Sequence, residues 1–268
     1  MHRSIIAIAR RDSSLDRATF VRVDIVLVSG RAVDGRQHPS AAAAMAIAGR
    51  LVGSHRVRWL CVLDREQDEP CPPSGVEFCS VRTTVPPFRS ALARIFELSS
   101  ETRLMELCRD DPPDVVHCIA FGAAASVQLP WLAGRLGIPT VVSVDPADAL
   151  CHRGTLVDER GATCTTLDDA VRCADCCLSA TPGGLGPIAA WLGRRFMVFG
   201  DASPWPSRTA MLNRLDSTIG GLVVERNVIV DDERDRVLLE SVGVAATVLP
   251  RNDVERLGKL YERLGRSE

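Results

Sequence analysis

Lysine is almost missing from this chain of 268 residues: Lys259 is the only one, and arginine carries nearly all the positive charge. We read that as coding bias. Neither sign of charge is in excess, with a net charge of −2, so the basic stripe of an obligate nucleic-acid binder is lacking. Long hydrophobic runs are lacking too; none approaches the ~18 apolar residues that span a bilayer. The stretch Met1–Arg10 holds five consecutive apolar residues, too few for a secretory core. No Gly-x-Gly-x-x-Gly follows the first strand pattern, which excludes that dinucleotide fingerprint. These absences predict a cytoplasmic protein in a reducing compartment, with peripheral attachment at the inner face of a membrane left open.

Cysteine, by contrast, is plentiful. In a reducing compartment clustered thiols bind metal more often than they pair. Cys61, Cys79, Cys108 and Cys118 fall in strand or helix patterns and read as small buried hydrophobes. Cys151, Cys164, Cys173 and Cys176 instead follow a strand pattern within a Gly/Thr/Asp-rich stretch. Their spacing predicts a closed, structural four-thiolate site, with zinc expected and an iron–sulfur cluster the alternative. Cys177 could replace Cys176, and His152 could compete with Cys151.

Strand and helix patterns alternate along the chain. β-Branched runs predict strands at 22–30, 56–63, 76–81, 114–120, 137–145, 222–225 and 245–249. Helical patterns occupy 40–52, 90–109, 124–136, 186–192, 207–219, 231–242 and 253–264. This order predicts an α/β fold with a single doubly wound, mostly parallel Rossmann-like sheet and a cysteine-rich loop insertion. Residues 1–20 read as a flexible leader, 21–252 as the domain with its metal-binding loop at 146–184, and 253–268 as a closing helix. Ligands of such sheets bind at the carboxyl ends of the strands. That edge should gather Gly30, Gly35, His117 and Asp145. The glycines could cradle an acceptor or simply make a strand-to-helix turn; Asp145 could bind a sugar hydroxyl or cap the next turn. His117 is either a core histidine or a catalyst. The acidic run 231–235 reads as solvated surface.

The ordered set Pro113-Asp-Val-Val-His117, Leu136-Gly-Ile-Pro-Thr-Val-Val-Ser-Val144, Cys151 to Cys164 and Arg172-Cys-Ala-Asp-Cys176 resembles family 4 glycosyltransferases. More narrowly, it is similar to the N-terminal acceptor domain of the cysteine-containing members that build bacterial surface polysaccharides, over roughly residues 22–252. The resemblance implies one half of a GT-B fold, with Gly30, Gly35 and Asp145 binding a glycan or lipid-linked acceptor and His117 beside the reacting sugar. Two departures stand out. About fifteen residues follow Asp253, too few for a donor domain of ~100–150 residues. And where relatives carry His-x-His, this chain has His117-Cys-Ile119; isoleucine cannot move a proton. Glu225 and Glu233 have the Glu-x7-Glu spacing of a donor site, but lack the glycines that let a backbone approach a diphosphate.

The expectation is therefore the acceptor-binding half of a glycosyltransferase in polysaccharide or glycoconjugate biosynthesis, inactive alone. It would be completed by a separate donor-domain subunit or by a homo-oligomer. The alternative is a non-catalytic glycan-binding or regulatory module.

Overall fold

The computed structural model describes residues 22–30, 39–63, 68–83, 97–119, 121, 126–151, 153–158, 160–164, 167, 169–179 and 208–266. Fifteen elements follow one another along these residues. They are β1 (Asp24–Gly30), α1 (Pro39–Leu51), β2 (Arg56–Leu63), β3 (Glu77–Arg82), α2 (Leu98–Asp110), β4 (Val115–Ile119), α3 (Leu129–Arg135) and β5 (Thr140–Ser143). Then come α4 (Pro146–Leu150), α5 (Ala170–Ser179), α6 (Arg208–Val224), β6 (Val228–Val230), α7 (Glu233–Glu240), β7 (Thr247–Val248) and α8 (Val254–Leu264).

The strands form one seven-stranded sheet in the order β3-β2-β1-β4-β5-β6-β7, parallel at every junction. β1, an interior strand between β2 and β4, is buried almost throughout because both of its faces are covered. Ile25 and Leu27 pack on one face with α1 and α8, through Ala44, Ile47, Leu257 and Tyr261. Val26 and Val28 face the other way, against Leu104 of α2 and Leu129 of α3. Further along that second face, α4, α6 and α7 cover Val142, Val144, Val228 and Val230. The period of two along each strand therefore feeds two helical layers, as the doubly wound expectation requires.

At the amino ends of β1 and β2, Arg58 is buried and holds Asp24 through two hydrogen bonds of 3.0 and 3.1 Å. Arg56 joins Asp24, Glu77 and Asp111. Charge is gathered into a paired network at this end.

One expected strand is corrected. Residues 222–224 end α6, and the strand is Val228–Val230. Leu222 is buried, but Val223 and Val224 face solvent, which a strand between two neighbours would not allow. Asn227 sets the strand: its side-chain amide donates to the Thr140 carbonyl at 2.8 Å, and its own carbonyl accepts from Val142 N–H at 3.0 Å. The expected helix 186–192 and the leader 1–20 lie outside the described residues.

Candidate functional site

At the carboxyl edge, β1 ends on Gly30, whose carbonyl accepts a hydrogen bond from Ser40 Oγ at 2.5 Å. That contact ties the strand end to the first turn of α1. Gly35 lies outside the described residues. β4 runs through His117 to Ile119, and β5 is followed by Asp145 at the start of α4. Asp145 Oδ1 accepts the Ala147 N–H at 2.9 Å, so this carboxylate caps the helix, one of the two roles open to it from sequence.

His117 is completely buried. Its Nδ1 is 2.5 Å from Tyr261 Oη, and its Nε2 is 2.6 Å from Ser143 Oγ. Burial, reinforced by the Arg251 charge, lowers its pKa to about 3, so the ring is neutral at physiological pH. One nitrogen donates and the other accepts, and either hydroxyl can complement the tautomer. With both nitrogens engaged, the imidazole as placed fastens α8 and β5 to β4 and offers no nitrogen to a substrate. Tyr261 was not singled out from the sequence; it lies 144 residues from its partner.

Beyond β6 the acidic run is less solvated than its composition suggested. Asp231 accepts from the backbone N–H and from Nε of Arg251, both at 2.8 Å. Burial raises the Asp231 carboxyl, but these bonds more than reverse it and hold it below the usual range. Asp232 caps α7 by accepting the Asp235 N–H at 2.9 Å. Burial, then the charges of Asp232, Asp145 and Asp231, push Asp235 up to about 6. Asp145, Asp231 and Asp235 thus act on one another electrostatically at the ends of β5 and β6, with Arg251 as counter-charge. A polar edge of this kind can accept hydrogen bonds from sugar hydroxyls and orient them. Glu225 and Glu233, the pair at donor-like spacing, have local duties: Glu225 accepts from Thr140 Oγ1 and Glu233 pairs with Arg236.

The cysteine segment is only partly loop. α4 and α5 fall within it, and Cys173 and Cys176 sit one turn apart on α5. Cys151 follows α4, whose last carbonyls are held by the buried Arg214 guanidinium at 2.8 and 3.1 Å. The chain then doubles back through a bridge between Val157 and Thr163 to reach Cys164. Asp158 holds that turn by accepting from the N–H groups of Arg160 and Ala162, both at 2.9 Å, and pairs with Arg172 of α5 at 3.2 Å. Arg153 Nη1 lies 3.3 Å from Cys176 Sγ, linking the turn after Cys151 to the same helix.

The four thiols consequently lie in one neighbourhood. Burial pushes Cys173 up to about 11, with Cys164, Cys151 and Cys176 adding in the same direction. Burial also raises Cys151, but backbone N–H groups of Thr155, Leu156, Arg153 and Gly154 outweigh it and hold that thiol below its ordinary value. Gly154 makes the tight turn possible with a φ of +67°, a conformation a side chain would strain. These four are the residues that could hold a metal. As placed, no three His, Cys, Asp or Glu side chains among the described residues surround a common point closely enough to do so. Neither the His152 nor the Cys177 side chain is among those described.

No curated protein is significantly similar to the chain. Among solved structures, a glycosyltransferase from Phytolacca americana, UGT2 complexed with UDP-2fluoro-glucose and pterostilbene, is similar at 15% identity and a TM-score of 0.45. The alignment covers 86% of this chain and 54% of that one. Os79 from O. sativa in complex with UDP is similar at 17% identity and a TM-score of 0.40, over 84% of this chain and 50% of its own. The chain therefore spans about half the length of these structures. The model of the glycosyl transferase 4-like domain matches residues 40–199, which include β2 to β5 and the whole cysteine segment. This chain belongs to the glycosyl transferase 4-like domain family.

Proposed function

We propose that this chain is the acceptor-binding lobe of a family 4 type glycosyltransferase acting in polysaccharide or glycoconjugate biosynthesis. The observation that carries the reading is the carboxyl edge of the sheet. There β4 and β5 end beside Asp145 within the family match, and the Asp231–Arg251 pair, which lies beyond it, adds hydrogen-bonding groups suited to a glycan. In such a lobe Asp145 and Asp235 orient acceptor hydroxyls. His117 positions the strand ends without touching the sugar. Transfer also needs a lobe that grips the nucleotide sugar, in the same polypeptide or in another subunit. UDP-sugars are the first donors to try, because UDP or a UDP-sugar occupies the similar plant structures.

The 268-residue chain, incubated with a UDP-sugar and a glycan or lipid-linked acceptor, should release no UDP above background. Adding the complementary nucleotide-binding lobe should start transfer. Asp145→Ala should then lower kcat/KM by about tenfold, the loss of one hydrogen bond to an uncharged hydroxyl. Tight UDP-sugar binding by this chain alone, or transfer indifferent to Asp145, would refute the assignment. The second reading, a non-catalytic glycan-binding module, draws on the full occupation of His117 and on Ile119. It is distinguished by saturable glycan binding with no turnover under any pairing.

The same reading keeps a structural zinc at Cys151, Cys164, Cys173 and Cys176. Its support is that the four thiols stand near enough to act on one another electrostatically, and that amide groups favour the thiolate at Cys151. To close round an ion, the side chains would turn from their placed rotamers toward one another. Protein purified under reducing conditions should carry one zinc per chain, and its removal should loosen the segment to proteolysis. Visible colour would assign an iron–sulfur cluster instead, and metal-free protein with an unchanged digestion pattern would remove the metal altogether.

A further inference from the structure

Between α8 and strands β6 and β7 lies a groove of about 540 Å³. Its floor is aliphatic: Ile229 and Leu249 are buried beneath it, and Leu260 borders it from the helix. Arg226 stands on one wall, in the turn before β6, and Arg256 and Lys259 stand on the other. Arg256, Lys259, Leu260 and Arg263 follow the i, i+3, i+4, i+7 spacing of one helix face, so this wall is about 10 Å long. Arg263 marks its far end and has a partner of its own. No described residue lining the groove is acidic.

That one-sided charge is local. Elsewhere, cations lying between elements meet a carboxylate from another element: Arg56 meets Glu77 and Asp111, Arg172 meets Asp158, and Arg251 meets Asp231. Here Lys259 pairs with Glu255 at 2.6 Å and Arg256 with Asp253 at 3.7 Å, and neither acid lines the groove. Exposed pairs of this kind contribute little and yield to a better-placed anion. With cations on both walls, no acid between them and an apolar floor, the cleft concentrates positive potential.

Charge and floor together select the occupant. A compact inorganic anion meets the cations at one point and leaves the aliphatic floor uncovered. An extended peptide rises about 3.3 Å per residue and turns alternate side chains to opposite sides. About three residues therefore span the wall, with acidic side chains on the cations and an aliphatic one between them on the floor. We propose that this groove docks a short extended segment of a partner protein in which acidic and aliphatic residues alternate. It uses none of the residues assigned to the acceptor edge and is measured as binding, so its failure would leave the transferase reading standing.

The test is fluorescence anisotropy of the full chain with a fluorescein-labelled Glu-Val-Glu-Val-Glu-Val peptide. Binding should saturate and should weaken as salt rises. Arg226→Ala should weaken it about fivefold, the loss of one exposed charge pair. Arg226→Glu with Lys259→Glu should abolish it and confer binding of a Lys-Val-Lys-Val-Lys-Val peptide instead. Both side chains are exposed, and a urea midpoint equal to wild type would certify the fold. A Glu-Gly-Glu-Gly-Glu-Gly peptide carries the charge but nothing for the floor, and should bind about tenfold more weakly. No saturable binding, equal affinity for the glycine peptide, or indifference to the charge reversal would overturn the proposal. So would tighter binding of inorganic triphosphate, which identifies a compact-anion site, or of an oligogalacturonate, which identifies an acidic-glycan site.

Discussion

Replacing Tyr261 by alanine should destabilise the domain by about 4 kcal/mol, the middle of the range for truncating a buried aromatic side chain. The ring is fully buried among Ile25, Leu257 and the α1 alanines, and it is the chief apolar anchor of α8 on the sheet. Its hydroxyl also satisfies His117 Nδ1, so truncation leaves both a cavity and an unpaired ring nitrogen. Tyr261→Phe separates these contributions: it keeps the packing, orphans the nitrogen and should cost about 1–2 kcal/mol. Urea unfolding followed by circular dichroism measures both. If the two variants were equally destabilised, the anchoring role of the ring would be wrong.

Acid should undermine the same junction. In an unfolded chain the His117 imidazole titrates near the ordinary histidine value of 6.5, whereas in the fold burial and Arg251 hold it down to about 3. Between those values the unfolded state binds the proton more tightly. Stability is therefore complete above pH 6.5 and falls as the pH drops toward 3. At about 1.36 kcal/mol per unit, the loss through this group reaches roughly 3 kcal/mol by pH 4. His55, also lowered by burial, contributes in the same direction, so the informative quantity is a difference. His117→Gln should be less stable than wild type at pH 7 and lose much less on acidification. Parallel pH profiles for the two proteins would show that the ring does not stay neutral in the fold.

The sheet was largely legible because its strands are fully buried β-branched runs, and such runs stand out against alanine-rich and charged helices. Val115–Ile119 and Thr140–Ser143 fall inside the segments expected for them. The failure at 222–225 has a physical cause. Three apolar residues in a row carry no period, and only the long-range contact of Asn227 with Thr140 shows that the strand begins at Val228. The edge chemistry was harder to foresee. His117 could be placed at its strand position, but its fate depends on Tyr261, 144 residues away. The acidic run is largely exposed as expected, but one of its members was not foreseen as paired: Asp231 is claimed by Arg251, 20 residues downstream. The cysteine spacing was visible at once, whereas the helix carrying Cys173 and Cys176 was hidden by polar neighbours that suggested loop.

The last helix lies on the first. Gly258 of α8 would place a β-carbon 3.6 Å from Leu51 Cδ2 of α1, so these two helices approach closely although about 200 residues of chain separate them. A polypeptide emerging from the ribosome at ~5–20 residues per second completes β1, α1 and β2 well before α8 exists to join α1 on that side of them. For those seconds the part of this core that Leu257 and Tyr261 cover is left bare, and the nascent chain is a natural client for a holdase until α8 arrives.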